Sequence, residues 1–418
     1  MKDKQFNFPP NFYWGAATSA HQVEGGNNND WSEWEKKNAD RLVLAAQNGI
    51  WPDYILKNYP SPLQKENYIS GAACDHYNRY EKDFDLARSL GHNCHRFSIE
   101  WSRVEPQEGI FDEKELAHYR EVILALRERG LEPFLTIYHW TQPFWFRDKG
   151  AWLNAEAPRD FARLAERLVR EFSGTGLKFW MTINEPMIYS TNGYLRDIWP
   201  PQKKNIFAYW QVINNLISAH ILAYGIIKKI QPGAIVGIAK NNIYFSAQGA
   251  KLINNFIKFL ADWWWNFRFL DKISGHIDFI GLNHYFHNRI DYGFNKNENK
   301  KISDMGWELF PEALYYVILD LKKYKCPIYI TENGLADAMD SRREWFVVES
   351  LKNVAAAIDD GADVRGYFYW SLLDNFEWDK GFWPRFGLVE IDYRTQERRI
   401  RPSAAAYAKI CKNNFMLL

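Results

Sequence analysis

Short apolar runs of four to seven residues alternate along this chain with longer stretches in which apolar positions recur every three or four residues. The short runs fall at 12–18, 95–100, 132–138, 179–183, 235–239, 279–282, 328–331 and 364–369, and most are rich in β-branched and aromatic residues, the composition of buried strands. The stretches at 77–90, 116–126, 161–172, 207–230, 254–269, 311–321, 345–358 and 403–411 carry helical periodicity. Gly91, Gly130 and Gly361 stop three of these helices, and Pro311 opens another at its first turn. Eight strands alternating with helices predict a parallel sheet with crossover helices. The chain has 418 residues and no Gly/Ser/Pro linker divides it. The expected architecture is therefore α/β, a single (β/α)8 TIM barrel over residues 1–418, with extended loops at its C-terminal face. Residues 27–74 form a long polar and aromatic excursion, a segment that is functional or carries small elements of its own.

The polar residues gather where the predicted strands end. Ile328-Tyr329-Ile330-Thr331 runs into Glu332 and then the Asn333-Gly334 turn. Phe179-Trp180-Met181-Thr182-Ile183 runs into Asn184 and Glu185, and Pro186 forbids further strand. Two distant strands thus each deliver a glutamate to the barrel face where chemistry gathers. Paired carboxylates suit glycosidic bond cleavage, in which one protonates the leaving oxygen and the other attacks the sugar or activates water. Gln22, Arg96, Glu100, His139, Asn283, Tyr285 and Glu377 stand at the other strand ends, with Trp140, Trp370 and Trp378 among them. Every predicted unit except the fifth contributes, which points to one site.

Composition narrows the chemistry only a little. Hydrophobic content of 47% and charged content of 25% are ordinary, and a net charge of +1 gives no basic field for nucleic acid. Aromatic content is high at 17%, with 19 tryptophans, and such rings stack on the apolar faces of sugars. No window is apolar enough to cross a membrane. Four cysteines lie far apart without a C-x-x-C pair, and no apolar leader follows Met1-Lys2-Asp3-Lys4-Gln5, so a cytoplasmic location is expected. His92-Asn93-Cys94-His95 lacks a second ligand pair at zinc spacing, so no metal is expected, and no nucleotide motif implies a cofactor. Glu24 and Glu100 read as structural partners of arginines. In Trp263-Trp264-Trp265, consecutive helical residues point different ways, so at most one or two face a ligand.

Several stretches resemble glycoside hydrolase family 1, the β-glucosidase family of retaining (β/α)8 enzymes. The most specific are Thr182-Ile183-Asn184-Glu185-Pro186, Ile330-Thr331-Glu332-Asn333-Gly334 and Trp370-Ser371-Leu372-Leu373-Asp374-Asn375-Phe376-Glu377-Trp378. Arg96-Phe97-Ser98 and Asp304-Met305-Gly306-Trp307-Glu308 are similar too. The resemblance implies Glu185 as acid/base and Glu332 as nucleophile, contacted by Arg96 and Tyr285. It implies Asn184 at the sugar 2-hydroxyl, and Gln22, His139, Glu377 and Trp378 at the 3-, 4- and 6-hydroxyls. Trp370 would be the stacking floor, with Trp140 in the substrate wall. The implied partner is a small β-linked carbohydrate, and the implied reaction is hydrolysis of terminal β-glucosyl, and also galactosyl or fucosyl, residues.

The chain departs from the family pattern in three places. His139-Trp140-Thr141-Gln142-Pro143 replaces the usual His-Trp-Asp-Leu-Pro, and Asn283-His284-Tyr285 replaces Asn-Tyr-Tyr. Residues 241–277 are shorter than usual between strands five and six, which predicts a sparse wall on the leaving-group side. Transglycosylation on the same fold, an inactive sugar-binding relative and a 6-phospho-β-glycosidase are the alternatives. Both glutamates speak against the second, and a charged Glu377 would repel the phosphate of the third.

Overall fold

The computed structural model describes residues 5–417; the opening residues 1–4, where the reading of a missing leader begins, lie outside the described residues. Eight parallel strands close into a barrel: β1 Tyr13–Ala17, β2 Cys94–Ser98, β3 Glu132–Tyr138, β4 Phe179–Asn184, β5 Ile235–Asn241, β6 Phe279–Asn283, β7 Ile328–Asn333 and β8 Val364–Trp370. β8 pairs with β1 and closes the ring, with Gly366 opposite Tyr13 and Trp370 opposite Ala17. The long helices that surround it are α1 His76–Ser89, α2 Glu113–Glu128, α3 Ala157–Phe172, α4 Ile206–Ile230, α5 Leu252–Ala261, α6 Ala313–Leu321, α7 Arg343–Asp359 and α8 Ala404–Asn413.

α3 shows why the periodic stretches become the outer layer. Phe161, Leu164, Ala165, Leu168, Val169 and Phe172 recur at three- and four-residue steps and all are buried, while Arg159, Glu166 and Arg170 stay polar on the other side. Inside the barrel, Phe134, Phe179, Phe279, Tyr329 and Phe368 form an aromatic plug, and the Phe134 and Phe179 rings stack at 3.9 Å. Gly237 makes room for it, since a Cβ there would lie 2.6 Å from the Phe279 carbonyl oxygen and 2.7 Å from its ring. The plug fills the barrel interior, so a ligand can enter only above it, at the C-terminal mouth.

Differences from the sequence expectation lie mostly at element ends. β2 stops at Ser98, because Glu100 leaves the sheet to cap the short helix Trp101–Val104. β5 runs on to Asn241, two residues past its apolar core. Pro311 precedes α6 in a turn and does not open the helix. The helical stretch at 254–269 is divided into α5, a π turn over Asp262–Phe267 and a further helix over Arg268–Ile273. The 27–74 excursion folds mainly as the 18-residue helix Asp30–Gln47, opened by a reciprocal cap between Asn29 and Ser32. No helix among the described residues is long and apolar enough to cross a membrane.

Candidate active site

Glu185 and Glu332 meet at the barrel mouth by way of irregular strand ends. The ladder between β7 and β6 slips between Ile330 and Glu332, and the ladder between β4 and β5 slips between Met181 and Asn184. Such bulges re-aim side chains. Glu185 also takes a left-handed backbone, φ 43° and ψ 62°, while its N–H donates to the Ala239 carbonyl at 2.8 Å. A glutamate in that conformation is strained and persists only where its surroundings fix it. Trp140 and Trp378, two more site residues, also have positive φ, 77° and 50°.

The two carboxyl groups have different neighbours. Glu332 Oε1 accepts from Arg96 Nη1 at 2.5 Å, and Oε2 accepts from the Tyr285 hydroxyl at 2.7 Å. Arg96 is itself fixed: Nε donates to Thr136 Oγ1, Nη1 to the Thr331 carbonyl, and Nη2 to Asn184 Oδ1 at 2.7 Å. Among the described residues Glu185 has only amide donors, Asn283 Nδ2 at 2.9 Å and Asn241 Nδ2 at 3.3 Å. Both groups are buried, so loss of water raises both pKa values. For Glu332 the Arg96 charge and the Tyr285 hydrogen bond oppose that rise. For Glu185 the Glu332 charge adds to it, pushing the group up to about 8. The first proton therefore leaves Glu332, and the negative charge left there keeps Glu185 protonated.

Around the pair lies a cavity of about 500 Å³, lined by Gln22, His139, Trp140, Trp370, Glu377 and Trp378 on one side. His139 Nε2 lies 3.1 Å from Asn184 Nδ2, an obligatory donor, so that ring nitrogen accepts and the proton sits on Nδ1. Nδ1 has no partner among the described residues, and a buried orphan donor in a cavity wall is a site for a ligand hydroxyl. Burial, then the Arg96 charge, keeps this imidazole neutral. Gln22 Nε2 donates to Asn375 Oδ1 and the Phe376 carbonyl, and reaches Glu377 Oε2 at 3.4 Å. Trp378 packs against Trp31 and Trp140, each with a centroid separation of 4.7 Å, and lies parallel to the His139 ring. Gln22, His139, Trp140, Glu185, Tyr285, Glu332, Trp370, Glu377 and Trp378 thus all line this mouth. Arg96 and Asn184 sit just beneath its surface.

Several expectations are corrected. The fifth strand does contribute: Asn241, at the extended end of β5, touches Glu185. Its signal was the polar run Lys240-Asn241-Asn242 directly after the apolar one. The short segment does supply cavity wall, since Ile243 and Trp265 line the cavity together with Ile188, Arg196, Phe286 and Trp307. Of the three consecutive tryptophans, Trp265 faces the cavity and donates to Asn241 Oδ1 at 3.2 Å, while Trp264 packs on Tyr209 and Trp210. Glu24 does pair with Arg103, at 3.0 Å. Glu100 instead accepts from Ser102 and from Thr141 at 2.9 Å. Glu377 is not held as a ready charge: loss of water, then the Glu332 charge, pushes its carboxyl up to about 8.

The other departures are structural. Gln142 donates from its backbone and side chain to Asp30, which ties the excursion helix to β3, and His284 Nδ1 lies 2.9 Å from the Asn242 carbonyl, in the wall behind the cavity. That excursion helix also carries Glu35, which holds His21 at 2.6 Å beneath the Trp378 ring. Residues 27–74 therefore brace the Trp378 side of the cavity from behind and supply none of the cavity lining described here. His95 lies 3.1 Å from Thr18 Oγ1 in the barrel wall, and burial keeps both His92 and His95 neutral.

The sequence signature described as "Glycosyl hydrolase family 1" matches residues 4–270 and 266–416. The chain belongs to glycosyl hydrolase family 1. It is 32% identical to a 1,4-beta-D-glucan glucohydrolase of Thermotoga neapolitana, covering 97% of this chain and 98% of the relative. It is 30% identical to a beta-galactosidase of Pyrococcus woesei, covering 97% of each. The fold is similar to a beta-glycosidase from Pyrococcus horikoshii, with a TM-score of 0.87 and 37% identity over 99% of this chain and 96% of that one. A beta-glucosidase from Thermotoga maritima in complex with glucoimidazole matches with a TM-score of 0.85 and 30% identity, over 98% and 99% of the two chains. As a member of family 1, this chain is a glycoside hydrolase of β-glucosidase type on a closed eight-stranded barrel.

Proposed function

We propose that this family 1 enzyme removes terminal β-D-glucosyl residues, and β-D-galactosyl or fucosyl residues, from the non-reducing ends of small carbohydrates with retention of configuration. The observation that carries this reading is the unequal environment of the two buried carboxyl groups. Glu332, with a guanidinium and a phenol on its two oxygens, is the nucleophile: one oxygen bonds to the anomeric carbon as the glycosidic C–O bond breaks. Glu185, still protonated, gives its proton to the departing oxygen. Formation of the ester removes the Glu332 charge, and the Glu185 carboxylate then takes a proton from the water whose oxygen attacks the anomeric carbon and frees Glu332. Tyr285 stays protonated through this cycle, because burial and then the Glu332 charge raise its pKa.

In this reading Asn184, already oriented by Arg96, meets the 2-hydroxyl. Gln22, His139, Glu377 and Trp378 receive the remaining hydroxyls, Trp370 lies under the ring, and Trp140 closes the wall. The relatives named for glucosides and a galactoside support this sugar range. The four cysteines are free thiols, which supports a reducing, cytoplasmic setting. The test is a slow 2-deoxy-2-fluoro-β-glucoside followed by peptide mass spectrometry, with NMR of the first-formed sugar. The expected results are a label on Glu332 and a β product; a label elsewhere or an α product overturns the proposal.

A further inference from the structure

The outer face of α5 is inverted for a helix on a protein surface. Asn254 and Ala261 turn inward, and Ile257 packs beneath the helix with Phe245 and Ile290. Leu252, Ile253, Phe256, Phe259, Leu260 and, one turn on, Trp263 point out, at 86, 47, 57, 65, 43 and 42% exposure. Their spacing places all six on one side of the helix. Tyr292 and Phe294, 69 and 49% exposed, extend the face. Their loop is tied to α5, since Tyr292 N donates to Asn254 Oδ1 at 2.8 Å and Lys251 Nζ stands 4.3 Å from the Tyr292 ring centre.

A face this large needs an occupant. Side chains of this size cover about 150–250 Å² each when fully exposed, so these eight present on the order of 900 Å². A standard stable interface needs about 800 Å² from each partner. The lysines along its border are already paired within the chain: Lys251 with Asp291 at 2.7 Å, Lys258 with Asp262 at 2.6 Å, and Lys323 with Asp271 at 3.7 Å. The border therefore offers little to an anionic surface, and the best-matched occupant is another neutral apolar face. We infer that the occupant is a second copy of this chain, with the two α5 helices packed antiparallel across a twofold axis near Phe256.

Twofold packing makes each patch meet itself, so a ridge on one copy needs a groove on the same patch of the other. A hollow of about 390 Å³ beside α5 supplies one: the Phe259, Trp263 and Phe267 rings line it together with Asn255 and the paired charges Lys258, Asp262, Asp271 and Lys323, and in this packing its rings receive Leu252 of the second copy. The dimer would also stand beside the catalytic mouth, because the loop that carries Tyr292 and Phe294 also brings Asn295 to the cavity wall.

Sedimentation equilibrium should give twice the chain mass of 49.4 kDa. Phe256→Glu combined with Phe259→Glu should give a single 49.4 kDa species with unchanged circular dichroism and unchanged kcat/KM on a small aryl glucoside. Leu252→Lys, at the most exposed position of the helix, supplies the same readout should the double variant fail to fold. Leu44→Glu, on the excursion helix, should leave the dimer intact. A monomeric natural chain overturns the inference, as does a dimer that survives both α5 variants. A natural chain that stays monomeric but sediments with phosphatidylcholine vesicles, while the variants do not, assigns the face to lipid and also overturns it.

Discussion

Replacing Tyr285 with phenylalanine removes one oxygen atom and leaves the ring in place. The lost contact is a 2.7 Å hydrogen bond from the phenol to Glu332 Oε2, in a site where the carboxylate has only Arg96 as its other strong support. A hydrogen bond to a charged group is worth about 1.5–3 kcal/mol. It favours the ionised form, so its loss should raise the Glu332 pKa, by about 1–2 units at 1.36 kcal/mol per unit. The sign of the pH effect follows from the required states. Glu332 must be ionised to attack, so activity falls as pH drops through its pKa, which burial already holds above 4.5. Glu185 must be protonated to assist departure, so activity falls as pH rises past about 8. In the variant the acid limb of the kcat/KM profile should move up by about 1–2 units and the bell should narrow from that side. The expected loss at the pH optimum is about 10- to 150-fold. The assay is the pH dependence of kcat/KM with a nitrophenyl glucoside. An unmoved acid limb alongside a uniform fall in rate would refute the argument, since it would mean that Tyr285 shapes the pocket without stabilising the charge.

Glu185→Ala should cost little on dinitrophenyl glucosides and at least about 100-fold on alkyl glucosides, with azide restoring turnover on the former; equal losses on both, without rescue, would make Glu185 structural. Asn241→Ala removes a donor to the ionised form of Glu185, so the basic limb should shift upward by about half a unit to one unit, for a bond worth about 0.5–1.5 kcal/mol; a downward shift would contradict the assigned contact. With Trp265 and Phe286 in the cavity wall, kcat/KM for aryl and alkyl glucosides of matched leaving-group pKa should differ by more than about 100-fold, or 2.7 kcal/mol. Trp265→Ala should shrink that spread by about threefold or more, and an unchanged spread would place the preference elsewhere.

The sequence by itself determined the barrel and the place of its two buried glutamates at the mouth. An apolar run fixes a buried strand through local periodicity, and the polar residues that follow it lie at the strand end, so Glu185, Glu332 and His139 were legible as mouth residues without any coordinates, whereas Arg96 lies within β2 and reaches the pair from below. The unequal fates of the two glutamates were not legible. They depend on neighbours far away in the chain: Arg96 is 236 residues from Glu332, and Asn241 is 56 from Glu185. Only closure of the barrel brings these groups within hydrogen-bond range and removes the water that would otherwise level their pKa values. The same limit explains Glu377, whose sequence suggests a carboxylate, whereas burial beside Glu332 and Glu185 raises its pKa. It explains the 27–74 excursion too. Its polar and aromatic composition suits either a lid or a buttress, and only the packing of Glu35 on His21, beneath Trp378, makes it a buttress. Periodicity along the chain decides which residues share a face, while charge, solvation and contact belong to neighbours that tertiary structure alone supplies.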